Sequence, residues 1–339
     1  MSETRLTAAR LLVAGKGILA ADESVTTMNT RLQLAGVPPD EQNRRAYREM
    51  LVTTPGLGLG ISGVIVCGET FRQRLADGRT FPDALADQGL LPGIKVDAGV
   101  KPLPGAPGET VTEGLDGLRD RLAGYAALGA RFAKWRAVIR IGDGRPSWRA
   151  LHANAYALAS YARVCQEEGV VPVVEPEILM EGAHGSARCR EVTSAALMVT
   201  FAELQDTGVD LAGMVLKPNM VLPGADSPEL ASPEIVAEQT VAALACVVPS
   251  EVAGVAFLSG GQSSARSTAN LAAIRRLGAP WPVTFSFGRA LVDPALAAWH
   301  GDRACVTAGQ RALANRIACN VAALLGSYKP VLETSYVLA

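Results

Sequence analysis

Six lysines stand among 32 basic residues, at positions 16, 95, 101, 134, 217 and 329; the other 26 (32 minus 6) are arginines. Three of the six lie inside apolar, strand-like runs: Gly-Ile-Lys95-Val-Asp, Phe-Ala-Lys134-Trp-Arg and Met-Val-Leu-Lys217-Pro-Asn. The chain meets nearly every other need for positive charge with arginine and places half of its lysines where an ammonium is costly to bury. Arginine neither releases its proton nor attacks a carbonyl, whereas a desolvated lysine does both. These residues point to the chemistry of an amine nucleophile.

Carboxylates recur beside the lysines with the spacing of a strand face. Residues i and i+2 of a strand share a side, which pairs Lys95 with Asp97, Lys134 with Arg136, Glu175 with Glu177, and Lys217 with Asn219. Val96, Trp135, Pro176 and Pro218 fall on the other side, and Trp135 reads as a packing residue against an outer helix. Asp22 follows Ile18-Leu-Ala-Ala21 and joins the same set. One reading is architectural, a plug of buried ion pairs. Five strand ends converging on both amines and carboxylates favour the functional reading. Lys217 attacks a ketone to give a carbinolamine and then an iminium, while Glu175, Glu177 and Asp22 supply proton donors and acceptors.

The elements that must position these groups are short apolar runs. They are Gly17–Ala21, Gly63–Cys67, Gly93–Val96, Arg131–Trp135, Val171–Val174, Ala212–Leu216, Val252–Leu258 and Pro282–Ser286. Their spacing of roughly 30–45 residues suits a strand, a crossover helix and loops, and continuous apolarity suits parallel strands covered on both faces. Helix signals fill the intervals. Ser232-Pro-Glu234 reads as a cap, a first-turn proline and an acidic first turn, and Arg275-Arg-Leu-Gly278 reads as a helix end. The predicted fold is α/β, one (β/α)8 TIM barrel spanning 1–339, with an open doubly wound sheet as the alternative. The last helical pattern ends near Leu325-Gly326, so 327–339 is expected to form a mobile tail.

An anion site is predicted at the same end of the barrel. Phe257-Leu-Ser259-Gly260-Gly261-Gln-Ser263 leaves the seventh strand and opens a helix, and Ser286-Phe-Gly288-Arg289 leaves the eighth. Glycines there let backbone N–H groups reach an anion, and the loops after strands seven and eight form the common phosphate site of barrels.

Composition narrows the function. The chain is 49% hydrophobic with a formal net charge of −1, which gives no global basic field and no expectation of nucleic-acid binding. No apolar run is long enough to span a membrane, and no signal-peptide pattern opens the chain. The six cysteines lack C-x-x-C spacing; Cys67, Cys165, Cys246 and Cys319 read as small core residues of a reducing compartment, and a cytoplasmic location is expected. Only three histidines are present, 152 and 300 in helix-like segments and 184 in a glycine-rich turn. No metal and no cofactor are expected.

Seven motifs in order resemble class I fructose-bisphosphate aldolases: Ala-Ala-Asp22-Glu-Ser, Gly-Ile-Lys95-Val-Asp, Phe-Ala-Lys134-Trp-Arg136, Val-Glu175-Pro-Glu177-Ile-Leu, Leu-Lys217-Pro-Asn-Met, Leu-Ser259-Gly-Gly-Gln and Phe-Gly-Arg289-Ala. The resemblance runs from about Gly15 to Asn320. It implies reversible cleavage of fructose 1,6-bisphosphate to dihydroxyacetone phosphate and glyceraldehyde 3-phosphate, in glycolysis and gluconeogenesis. It implies that Lys217 is the Schiff-base lysine, that Glu175 handles the protons of carbinolamine dehydration with Lys134 and Glu177 assisting, and that Asp22 takes the proton of the substrate hydroxyl during carbon–carbon cleavage. Ser259, Gly260, Gly261, Ser286, Gly288 and Arg289 resemble the site of the ketose 1-phosphate. Lys95, Arg136, Ser24 and Arg31 match substrate-binding positions, with Lys95, Ser24 and Arg31 around the other phosphate. A homotetramer is implied as well. Two departures stand out. Thr30 precedes Arg31 where many relatives have lysine, and Tyr336 is followed by Val-Leu-Ala339 where animal relatives end in tyrosine. A tail folded over the barrel mouth would bring Tyr336 to the iminium. Alternatives are a Schiff-base aldolase for another phosphorylated sugar and a non-catalytic barrel used as a scaffold.

Overall fold

The computed structural model of the chain describes residues 2–333. Its strands are β1 (Gly17–Ala21), β2 (Ile61–Val66), β3 (Leu91–Lys95), β4 (Val100–Pro102), β5 (Thr110–Thr112), β6 (Phe132–Ile139), β7 (Val171–Ile178), β8 (Val215–Leu216), β9 (Gly254–Phe257) and β10 (Val283–Phe287). Eight of them close into a parallel barrel in the order β1-β10-β9-β8-β7-β6-β3-β2, as the apolar runs predict. β4 and β5 pair antiparallel in a separate hairpin that the sequence reading does not anticipate. Their three-residue strands carry little hydrophobic signal, and β4 is fully exposed.

The helices are α1 (Glu3–Leu11), α2 (Val25–Leu34), α3 (Glu41–Val52), α4 (Leu57–Gly60), α5 (Gly68–Arg72), α6 (Phe81–Ala86), α7 (Leu118–Ala127), α8 (Trp148–Glu167), α9 (Ser186–Asp206), α10 (Pro233–Ala245), α11 (Ser264–Leu277), α12 (Arg289–Trp299) and α13 (Val306–Leu324). The expected end signals hold. The Ser232 side chain accepts from the Ile235 N–H ahead of Pro233, and Gly278 ends α11 at φ 84°.

Two cores result. The larger lies between barrel and helices; there Trp135 stacks on Tyr161 of α8 with ring centroids 5.5 Å apart, on the predicted outward side. The smaller fills the barrel's lower interior with Ile18, Ile65, Leu91, Phe132, Val171, Val173 and Val215, closed from below by Ala8 and Leu11 of α1. Gly93 makes room for the Phe132 ring, which a Cβ there would overlap. Apolar rows therefore occupy the lower barrel, and the polar residues of β6 and β7 are left for the upper rows.

The details of several elements depart from expectation. Charged residues do not end β6 and β7, which run on through Arg136, Glu175 and Glu177 because the barrel ladder continues whatever the side chains carry. β8 is only two residues, because Leu211–Gly213 winds into a 3-10 turn beside Asp210, whose backbone N–H and C=O both bond to the Gln166 side chain. Cys246 is exposed beyond α10 rather than buried, while Cys67, Cys165 and Cys319 are core residues. His300 lies just past α12 rather than within a helix. The expected tail begins as ordered chain: Pro330–Glu333 forms a 3-10 turn, and Arg316 of α13 pairs with Glu333. Tyr336 lies outside the described residues. Among the described residues no helix is long and apolar enough to cross a membrane.

Candidate active site

The register of β6 against β7 sets the centre of the site. Lys134 stands opposite Val173 and Arg136 opposite Glu175, so inward-facing side chains of neighbouring strands rise in steps toward the mouth. Lys217 follows β8 directly, and Asp22 follows β1. Their side chains form one connected chain of contacts. Lys217 Nζ lies 3.1 Å from Glu175 Oε1, Lys134 Nζ lies 3.2 Å from Glu175 Oε2, and Lys134 Nζ lies 2.7 Å from Asp22 Oδ2. Side-chain exposure is 4% for both lysines, 5% for Glu175 and 12% for Asp22.

Burial alone would neutralise such groups. Here burial pushes the Asp22 carboxyl up, but the ammonium groups of Lys134 and Lys217 outweigh it and hold the group down at about 2. Burial likewise opposes ionisation of Glu175, and Lys134, Lys217 and Arg136 together bring its carboxyl below the ordinary glutamate value. For Lys134, burial lowers and the facing Asp22 and Glu175 raise; the carboxylates win, so this lysine stays an ammonium. The result is a dry relay of alternating charge whose proton holders are ionised at rest.

The other predicted residues fall into groups around it. Glu177 pairs with Arg136 on the neighbouring strand. Lys95 Nζ lies 2.8 Å from Asp97 Oδ1, and the Asp97 carboxylate also accepts from the N–H groups of Gly99 and Arg136. Asn219 does not join the axis. The strand alternation stops where β8 ends, and the Asn219 side chain turns outward, accepting from the Ile178 N–H and donating to Thr193 of α9.

Beyond β9 and β10 the predicted anion loops come together. Gly260 and Gly261 have φ of 56° and 85°, and Arg289 Nη2 sits 3.6 Å from where a Gly261 Cβ would be. The Gly260 and Gly261 N–H groups donate no hydrogen bond among the described residues. Gly288 precedes α12, and a Cβ there would come within 3.2 Å of the Ala20 carbonyl oxygen. The Ser286 hydroxyl is buried without a partner. Arg289 is exposed and makes no ion pair among the described residues, so unpaired backbone, hydroxyl and guanidinium donors all lie at the ends of β9 and β10.

After β1, the barrel neighbour of β10, Ser24 caps α2 by accepting from the Thr27 N–H. Arg31 of that helix pairs with Glu23, meets Asp293 at 2.7 Å and reaches the Tyr47 hydroxyl at 3.4 Å. The Thr30 hydroxyl donates to the Thr26 carbonyl. A separate cleft of about 990 Å³ between the hairpin, α7 and α8 is walled in part by Lys95 and Asp97, and neither Arg31 nor Lys217 is among its walls.

Arg48 escapes the sequence reading. It is fully buried, and it donates from Nε to Ala21 O at 3.2 Å and from Nη2 to Glu23 O at 2.7 Å, gripping the backbone on both sides of Asp22. The signal was its place on α3: Arg44 and Arg48, four apart, share the buried face with Met50 and Leu51.

A family model described as fructose-bisphosphate aldolase class-I matches residues 3–337. The chain is 51% identical over 324 residues to cytosolic fructose-bisphosphate aldolase 4 of Arabidopsis thaliana, covering 95% of this chain and 82% of that protein. It is 50% identical over 325 residues to a probable class 1 fructose-bisphosphate aldolase of Xanthomonas campestris, covering 95% and 97%. Among solved structures, fructose-bisphosphate aldolase from Plasmodium falciparum, crystallised with TRAP and a small-molecule inhibitor, superposes with a TM-score of 0.95 at 42% identity, covering 96% of this chain and 95% of that one.

Proposed function

The chain belongs to the class I fructose-bisphosphate aldolase family, and from that premise we propose how its own residues carry out the cleavage. The lyase is metal-independent, and its substrate is fructose 1,6-bisphosphate. The observation that carries the assignment of roles is the unbroken chain Lys217–Glu175–Lys134–Asp22.

Glu175 is ionised at rest, so it begins as a base. Counted from the amine paired with Glu175 as an ammonium, two protons pass through this carboxyl from Lys217 Nζ to the C2 oxygen. The first moves as the freed amine attacks the ketose C2 carbonyl and the carbinolamine hydroxyl forms, and the second moves as that hydroxyl leaves as water and the iminium remains. Asp22, ionised and held beside Lys134, takes the proton of the C4 hydroxyl. The C3–C4 bond breaks, its electron pair moves to the iminium as an enamine, and glyceraldehyde 3-phosphate leaves. Protonation at C3 and hydrolysis release dihydroxyacetone phosphate and the free lysine. Lys134 keeps the two carboxylates apart and ionised, and Glu177 with Arg136 closes the site above Glu175. The 1-phosphate lies on Ser259–Gly261, Ser286, Gly288 and Arg289, and the 6-phosphate on Ser24, Arg31 and Lys95.

Incubation with dihydroxyacetone phosphate and borohydride tests this directly. One reduced adduct per chain is expected on Lys217; an adduct on Lys95 or Lys134, or none, overturns the assignment.

One observation favours a second reading, an aldolase for a sugar phosphorylated only at C1. Arg31 already has two carboxylate partners, and Thr30 supplies no cation. Comparable cleavage of fructose 1-phosphate and the bisphosphate would favour it. We take 1–339 as one barrel unit with 327–339 as its tail, in the cytoplasm and as a homotetramer. The exposed stripe Trp148, His152 and Tyr156 on α8 supports self-association. Light scattering giving a monomer at micromolar concentration would remove the tetramer.

A further inference from the structure

Three side chains of metal-binding type meet far from the barrel mouth. α12 leaves the mouth at Arg289 and, over 11 residues, runs about 16 Å toward the other end of the barrel. The turn that joins it to α13 carries His300, Asp302 and Cys305. One imidazole nitrogen, one carboxylate oxygen and the Cys305 sulfur lie within 4.8 Å of one another. Ligands around a single tetrahedral zinc-sized ion stand about 3–4 Å apart, within reach of a small side-chain rotation.

The turn holds these groups in place. The His300 N–H donates to Leu296 O at 2.8 Å, the Asp302 N–H to Trp299 O at 2.9 Å, and the Cys305 N–H to Asp302 O at 3.0 Å. His300 has φ 39° and is the only non-glycine residue with positive φ among the described residues. Glycine adopts that conformation without steric penalty, so the imidazole stands here at a steric cost. The ring is also oriented. Nδ1 faces the Trp299 carbonyl, which places the ring proton there and leaves Nε2 with its lone pair. That backbone contact is the outer-shell bond by which metal-binding histidines are fixed in one tautomer. Asp302 is set in the same way: Oδ1 accepts from the Ala304 N–H at 2.8 Å, which leaves Oδ2 for another partner.

We propose that His300, Asp302 and Cys305 bind one borderline divalent transition ion of the zinc class, with water completing the coordination. The mixed nitrogen, oxygen and sulfur set selects such an ion over magnesium or calcium, which take oxygen ligands. The thiol gives up its proton on binding, so affinity rises with pH. The ion ties the end of α12 to the start of α13 and takes no part in the cleavage reaction.

The test is titration of the metal-stripped chain with Co2+, followed in the near ultraviolet and visible. One Co2+ per chain is expected, with a thiolate-to-cobalt charge-transfer band that Zn2+ abolishes. Cys305→Ser should remove the band, and Cys246→Ser, at the exposed cysteine, should leave it intact. His300→Gly relieves the backbone and removes the imidazole. It should weaken binding by more than the about 10–100-fold that loss of an outer-shell partner costs, while melting at or above the wild-type temperature without metal. No stoichiometric binding, a band that survives Cys305→Ser, or wild-type affinity in His300→Gly overturns the proposal.

Discussion

The relay inside the barrel and the loops at its rim handle charge in opposite ways. Inside, Lys217, Glu175, Lys134 and Asp22 each touch a partner of opposite sign and are nearly closed to water. At the rim, Arg289 has no carboxylate partner among the described residues and stands in solvent beside unbonded N–H groups. A relay must hold its geometry before substrate arrives, because its gain comes from preorganised charge. An anion site must instead keep donors unpaired, or the incoming phosphate has to displace a partner already bound. The rim divides again on this ground: Arg289 is free, whereas Arg31 is held by Glu23 and Asp293. On the proposed roles the chemistry is assembled in advance, and of the two arginines only Arg289 is unpaired among the described residues.

Substitutions can break this contrast. Lys217→Arg keeps the charge but not the nucleophile, so turnover should fall on the order of 10⁵-fold, equally for phosphorylated and unphosphorylated ketoses. A loss confined to phosphorylated substrates would make Lys217 a binding residue. Asp22→Asn should lower kcat about 10²–10⁴-fold while borohydride trapping on Lys217 persists; loss of trapping would mean that Asp22 acts before cleavage.

Arg289→Ala belongs to the other class. It should weaken kcat/KM for phosphorylated ketoses by about 2–4 kcal/mol and spare unphosphorylated ones, and equal losses would erase the distinction between relay and rim. Asp22 also predicts a pH effect on stability. Its carboxyl is held at about 2 against an ordinary 3.8. The ionised pairing therefore contributes above about pH 4, on the order of 2 kcal/mol, and is lost as pH falls through 2. Urea midpoints of wild type and Asp22→Asn should converge as pH drops from 4 toward 2; a constant gap would mean that the lysines do not hold this carboxyl down. The smallest effect belongs to Asp293→Asn. Freeing Arg31 from a half-exposed pair should improve the bisphosphate relative to the 1-monophosphate by about 1 kcal/mol or less. No change in that ratio would show that the pair does not restrain Arg31.

The sequence alone determined the elements and the reactive groups. β1 was legible to the residue, because the four apolar residues between Gly17 and Asp22 have no competing pattern. Lys134, Glu175 and Lys217 were legible because charge inside an apolar strand is costly and stands out. The hairpin and the short β8 were not, since their pairing rests on side-chain and tertiary contacts rather than on hydrophobic periodicity.

Only the tertiary structure decided who partners whom. Strand spacing put Asn219 on the face of Lys217; the early end of β8 sent it to α9 instead. Composition gave no sign that Arg48 would hold the backbone around Asp22, or that Arg31 would already be paired. His300, Asp302 and Cys305 match no familiar ligand spacing, and one left-handed turn draws them together. The physical reason is common to all four. Local sequence fixes hydrophobic period and residue type, but a charge finds its partner across the fold, at distances that only closure of the barrel and its turns sets.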